Sequence, residues 1–255
     1  MPIVAGFNVT PVKSTSLHQP AWIDLRETGA VGDRRFLFVR DDGTRLSGIS
    51  KAPLVRIYSE HDVETDHLRL TLAHGEIVEG AAGPVGEPIA VALFDRTVAA
   101  RRLDPRFTEA IVRTVDETLQ LMRVDEPEYA GGLHRVSLLS RASIADLAAR
   151  GGAEALDPRR FRMLVEVDGC DPYEEDSWSR RRVRLGEAIV RVGEGMPRCV
   201  FTTLDPDTGA KDFPTLDVLA EHRKLGTDLL LGVYADVERP GVVRVGDDVE
   251  LLDHR

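Results

Sequence analysis

The sequence predicts an α+β protein that is mostly β and based on small barrels or sandwiches. Three observations lead there. Short β-rich runs recur at even spacing through about the first hundred residues, with His, Asp, Gly and Pro between them. Amphipathic helical stripes begin only after about residue 104. Beyond that point, strands with interspersed helices continue to the C-terminus.

Residues 3–9 (Ile-Val-Ala-Gly-Phe-Asn-Val) and 35–40 (Arg-Phe-Leu-Phe-Val-Arg) read as strands, and Asp41-Asp42-Gly43-Thr44 predicts a hairpin turn. Residues 54–59, 68–72 and 89–93 read as further short strands. A helix is expected over 104–122, where Phe107, Ala110, Ile111, Val115 and Leu119 form one stripe behind Asp104-Pro105. Ser140 as a cap, apolar Ile144, Leu147 and Ala148, and the Gly151-Gly152 stop predict a second helix. Residues 214–224 repeat that form. Strands are expected at 165–167, 183–185, 189–192, 200–203, 229–234, 242–245 and 249–252. The strings Val183-Arg-Leu-Gly-Glu-Ala-Ile and Val243-Arg-Val-Gly-Asp-Asp-Val echo each other and predict two hairpins with Gly-acid turns. The change in pattern places a domain boundary near residue 95, giving units of 1–95 and 96–255.

Composition narrows function. A net charge of −10 with 30% charged residues describes a soluble globular chain and argues against nucleic acid as a partner. Two cysteines, Cys170 and Cys199, are too few for a four-thiolate zinc site or an iron–sulfur cluster. The start lacks a signal-peptide pattern and no apolar run is long enough to span a bilayer, so a reducing cytoplasmic location with no membrane partner is expected.

The chemistry concentrates in Pro197-Arg198-Cys199-Val200-Phe201-Thr202-Thr203-Leu204-Asp205-Pro206-Asp207-Thr208-Gly209. A thiol beside a cation is the arrangement that frees sulfur for a metal or an electrophile. The same string also reads as a strand with a small buried cysteine followed by an ordinary loop. The residues alone leave both open.

This string resembles the cysteine loop of the MOSC domain, a family that binds molybdenum cofactor. A second block, Arg160-Phe161-Arg162 through Gly169-Cys170-Asp171 to Glu175-Asp176-Ser177-Trp178, is similar to the segment preceding the metal cysteine in the mitochondrial amidoxime reducing component and its bacterial relatives. Pro11-Val12-Lys13-Ser14 and Gly32-Asp33-Arg34-Arg35-Phe36 resemble that family's N-terminal β-barrel domain, and Pro240-Gly241 through Gly246-Asp247 matches near the C-terminus. The resemblance thus implies a small N-terminal barrel followed by a MOSC barrel with a few helices.

It also implies roles. Cys199 would be the ligand to molybdenum, a soft sulfur for a soft site. Lys13, Ser14, Arg35, Arg162 and Arg198 would hold the anionic cofactor. His134, in Gly131-Gly132-Leu133-His134, and Tyr234 would lie near the pterin. Asp205 reads either as a proton relay or as the cap of its own Asp-Pro-Asp-Thr-Gly turn. Family members often carry Phe-Arg-Pro-Asn where this chain has Phe161-Arg162-Met163-Leu164, so one pterin-contacting amide is absent. The implied activity is reduction of small N-hydroxylated substrates, with electrons from a separate donor protein, a reductase or ferredoxin. The alternative is a sulfur carrier or cofactor-binding module using Cys199 as a persulfide.

Overall fold

Strands supply most of the ordered backbone of the computed structural model, which describes every residue except 41, 42, 45, 47, 94, 95, 116, 117, 126–133 and 253–255. The largest sheet runs in the order Ile3–Phe7, Val165–Asp168, Val136–Ser140, Asp228–Arg239, Ala188–Pro197, Arg182–Leu185, Val249–Leu252, and Lys224–Leu225 pairs with the start of Asp228–Arg239. Its one parallel pair, Val136–Ser140 with Val165–Asp168, is joined through the helix Arg141–Arg150, because parallel neighbours need a crossover. The Val4 amide donates to the Asp247 carbonyl and the Val249 amide to that of Pro2, both at 2.8 Å. The first strand therefore lies beside the segment leading into the last, and the sheet is a nearly closed barrel.

Phe7, Val165, Trp178 and Val190 fill the barrel, each fully buried, and Ile23, Leu25 and Val243 cover it from a three-stranded sheet of Gly241–Arg244, Trp22–Arg26 and Gly29–Ala30. A fully buried Leu or Phe contributes about 1.5–3 kcal/mol. A second unit sits beside the barrel. It joins a four-stranded sheet (Phe36–Arg40, Leu119–Val124, Arg96–Arg102, Val85–Leu93) to a three-stranded one (Tyr58–Asp62, His67–Thr71, Ile77–Ala81) around Phe36, Leu54, Leu68, Phe107 and Leu121.

The pairings cross the expected boundary at residue 95. Val85–Leu93 and Arg96–Arg102 are adjacent antiparallel strands, and Leu119–Val124 returns to pair with Phe36–Arg40. The smaller unit thus reaches Val124, while Ile3–Phe7 belongs to the barrel. The expected helix at 104–122 is shorter, Pro105–Val115, because Leu119, Leu121 and Met122 are all buried and that segment is a central strand. Residues 54–59 are divided between the end of a 3-10 helix and the strand Tyr58–Asp62. Arg182–Leu185 and Ala188–Pro197 form the first expected hairpin. The second is not one, since Gly241–Arg244 pairs with Trp22–Arg26 and Val249–Leu252 with Arg182–Leu185. The second and third helices, Arg141–Arg150 and Thr215–His222, lie where expected, and the Ser140 hydroxyl accepts the Ser143 amide at 3.0 Å. The turn predicted at 41–44 falls partly outside the described residues.

Candidate functional site

The strand Ala188–Pro197 delivers Cys199 to the surface. Its ladder runs to the Pro197–Leu230 pair, and one further bond follows, from the Arg198 amide to the Leu229 carbonyl at 2.8 Å. Cys199 ends the extended run (φ −123°, ψ 172°), and residues 200–203 turn away as a 3-10 helix rather than the expected strand. The cause is local: the Thr202 amide and hydroxyl donate to the Cys199 carbonyl at 3.1 and 3.0 Å, and the Thr203 hydroxyl donates to that of Val200 at 2.7 Å. The Cys199 thiol is exposed, which excludes the buried-cysteine reading.

The thiol borders a cleft of about 220 Å³ between barrel and smaller unit. Among the described residues, six cations line it, Lys13, Arg34, Arg135, Arg160, Arg162 and Arg198, and no Asp or Glu does, in a chain whose net charge is −10. Backbone strain collects here. Of six non-glycine residues with positive φ among those described, Ser14 (77°), Arg34 (47°) and Arg162 (54°) line the cleft. Such conformations cost about 1–2 kcal/mol each and persist where surrounding contacts impose them. Arg162 follows the turn Pro158–Phe161, capped by Asp157, and reaches back so that Nη2 donates to the Thr15 carbonyl at 2.7 Å and its guanidinium lies 5.4 Å from the Phe201 ring centre. The Arg34 Nη2 donates to the Arg162 carbonyl at 2.9 Å, tying the two units together at the cleft wall.

Arg198 has an unusual setting. Its Nη1 donates to the thioether sulfurs of Met196 and Met163 at 2.9 and 3.2 Å, its Nη2 to the Phe161 carbonyl, and its Nε is buried without a partner. Burial without a carboxylate pushes its pKa down to about 10. Tyr234, 7% exposed, stacks at 4.9 Å on His134, and burial raises its phenol pKa. Asp236 pairs with His134 Nδ1 at 2.8 Å, which places the proton on Nδ1 and leaves Nε2 as the acceptor. Among the described residues no group of three His, Cys, Asp or Glu side chains converges.

Residues 127–250 match the model of the MOSC domain. They are a MOSC domain. Mitochondrial amidoxime reducing component 2 of Homo sapiens is 34% identical over 155 residues, 56% of this chain and 43% of that protein, so the match spans less than half of that relative. Mitochondrial amidoxime-reducing component 1 of Danio rerio is 27% identical over 252 residues, covering 87% of this chain and 74% of the relative. The crystal structure of the YUAD protein from Bacillus subtilis aligns over 100% of this chain and 98% of its own at a TM-score of 0.51 and 16% identity, which shows the fold alone.

The MOSC domain supplies Cys199, Arg198, Arg162, His134 and Tyr234 to the cleft, and the smaller unit adds Lys13 and Ser14. Two expected residues are not there. Arg35 lines a different cavity, and its neighbour Arg34 takes the place in the cleft, because the left-handed turn at Arg34 sends the two side chains to opposite sides. Asp205 is a turn cap: its Oδ1 accepts the Thr208 hydroxyl and amide at 2.7 and 2.8 Å and the Asp207 amide at 3.2 Å, bonds that hold its carboxyl below the ordinary range. It does not line the cleft. Gly131, Gly132 and Leu133 lie outside the described residues. Leu164 is buried in the MOSC core, and its amide donates to the cleft-lining Ser137 hydroxyl at 3.0 Å.

Sequence reasoning missed Arg34, Arg160 and the Met163–Met196 pair. Arg160 was legible only through the Asp157-Pro158 cap that precedes it. Nothing in one dimension separates Arg34 from Arg35.

Proposed function

We propose that the cleft holds a molybdenum cofactor, with Cys199 as the protein's ligand to the metal, and that the protein reduces N-hydroxylated compounds. The observation that carries this reading is the exposed thiol at a cleft whose described lining holds six cations and no carboxylate. The donor set fits a phosphate-bearing dithiolene: a soft sulfur for the metal, guanidinium groups for the anionic tail, and a buried Arg198 Nε with no acceptor among the described residues. The names of the relatives, as amidoxime-reducing components, point to the same substrate class.

When bound, the cofactor supplies two-electron, oxygen-accepting chemistry. Overall, an N-hydroxy group takes up two electrons and two protons, the N–O bond breaks, and an amine or amidine and water leave. The electrons come from a separate donor protein, a reductase or ferredoxin. Lys13, Arg34 and Arg162 neutralise the anionic ligand, and Phe201, backed by the Arg162 guanidinium, forms a wall that excludes water. His134 and Tyr234 line the cleft as groups able to pass a proton, and Asp236 orients the imidazole through its Nδ1. Among the described residues no helix is long and apolar enough to cross a membrane.

Exposure of Cys199 also suits persulfide carriage. The test is reduction of benzamidoxime by protein from a host that makes the cofactor, with reduced methyl viologen as donor. Turnover supports the reductase; molybdenum-free protein that takes sulfane sulfur onto Cys199 instead would establish the carrier.

A further inference from the structure

We propose that a second cavity, on the opposite side of the Asp33-Arg34-Arg35 segment, binds a small organic carboxylate with an apolar body, held side-on by Arg123. This cavity measures about 310 Å³ and shares no lining residue with the Cys199 cleft. That size lies at the lower end of small-molecule sites and suits a ligand of about ten heavy atoms.

Its polar end is built from three side chains in series. Asp66, in a turn at φ 50°, receives Arg123 Nη1 on both oxygens at 2.8 and 2.6 Å. The same Nη1 donates to the Ala82 carbonyl at 3.2 Å. His61 Nε2 meets Asp66 Oδ1 at 3.0 Å. The imidazole is only 3% exposed and packs edge-on against Phe36 at 5.0 Å, and burial lowers its pKa, so it is a neutral donor to Asp66 rather than a competing cation. This series fixes the rotation of the Arg123 guanidinium while engaging a single nitrogen. The other edge, Nε with Nη2, has no partner among the described residues, although Arg123 lines the cavity. Two parallel N–H groups on one rigid edge match the two oxygens of a carboxylate.

The rest of the lining sets the ligand class. Arg35 contributes a second positive charge. Asp33 turns its carboxylate to the Thr10 amide and to Arg34. Val31 and Val63, 49% and 51% exposed, form an apolar rim, and a side chain at Gly32 would stand 3.5 Å from Val63. Apolar rim and single cationic edge suit a monoanion with a hydrocarbon body. A phosphate dianion would set its second charge beside Asp66.

The test uses octanoate, 1-octanol and inorganic phosphate as probes, followed through the arginine Nε–H resonances of the full-length protein. Octanoate is expected to shift the Arg123 Nε–H saturably with a Kd of about 0.1–1 mM, and neither other probe should do so. Val63→Asp, at a half-exposed position that leaves the fold intact, should weaken binding at least about tenfold. So should Arg123→Lys, which keeps the charge but loses the side-on pair. Arg198→Met, in the other cleft, should leave octanoate binding unchanged. No saturable shift by about 10 mM octanoate, an equal response to octanol or phosphate, or wild-type affinity in Val63→Asp would overturn the proposal, as would loss of binding in Arg198→Met.

Discussion

Arg160 grips Asp212 through two parallel bonds, Nη1 to Oδ1 at 3.0 Å and Nη2 to Oδ2 at 2.9 Å, from a position only 4% exposed. The two residues join the turn Pro158–Phe161 to the loop that follows Cys199. Arg159 repeats the link one position earlier, meeting Asp207 at 2.9 and 2.8 Å. Gly209 closes the loop against the smaller unit; with φ 74° and only 2.5 Å between an added Cβ and the Ala52 carbonyl, no other residue fits there. The cysteine is thus held by contacts from both units.

Asp212→Ala should cost about 2–3 kcal/mol, because it strands a buried guanidinium whose Nε already lacks a partner. Asp207→Ala, at a residue on the exposed side, should cost under about 1 kcal/mol. Urea denaturation of both variants measures the difference, and equal losses would contradict this account.

Much of this framework can be read in the chain itself, and the exceptions have identifiable causes. The helix Arg141–Arg150 carries its own start and stop in Ser140 and Gly151, so local chemistry sufficed. Residues 200–203 look like a strand by their Val, Phe and Thr content, but the threonine hydroxyls bond back to the preceding carbonyls and curl the chain. Leu119–Val124 sits in a helical stripe and becomes a strand because a sheet buries both of its faces. Cys199, Arg162 and Tyr234 were legible through the family pattern. The exchange of Arg35 for Arg34 was not, since it depends on a left-handed backbone at one residue that carries no glycine.

Arg198→Met should make the ligand-free protein more stable by about 1–2 kcal/mol, since a desolvated cation is replaced by an apolar side chain among Met163, Met196 and Phe161. The same variant should lose affinity for anionic ligands of the cleft. Thermal melts with and without added molybdate-free pterin phosphate separate the two effects; a destabilised apo protein would show that the guanidinium serves the fold instead.

The two thiols should differ in reactivity. Burial pushes Cys170 up to about 11 from 9.0, which leaves about a hundredfold less thiolate than an unperturbed thiol at pH 8, and Cys199 is exposed. Iodoacetamide followed by peptide mass mapping should label Cys199 first, with the half-buried Cys170 reacting more slowly. Preferential labelling of Cys170 would be inconsistent with this arrangement.

Glu175 is fully buried, accepts the Ser143 hydroxyl at 2.7 Å on Oε1, and has no partner for Oε2; burial raises its pKa. As pH climbs above the ordinary carboxylate value, the unfolded chain releases this proton before the folded one, so native stability falls until Glu175 ionises. Glu175→Gln should remove that slope in the pH range that begins at the ordinary carboxylate value. Unfolding free energies measured across this range check it, and a variant that parallels the wild type at every pH would assign the slope to other groups.

Molybdenum content is the most direct measurement. Protein purified from a cofactor-producing host should carry close to one molybdenum per chain, and Cys199→Ala should lose it while unfolding within about 0.5 kcal/mol of the parent, as expected for an exposed position. Molybdenum absent from the parent, or retained in the alanine variant, would contradict the assignment of Cys199 as the metal's ligand.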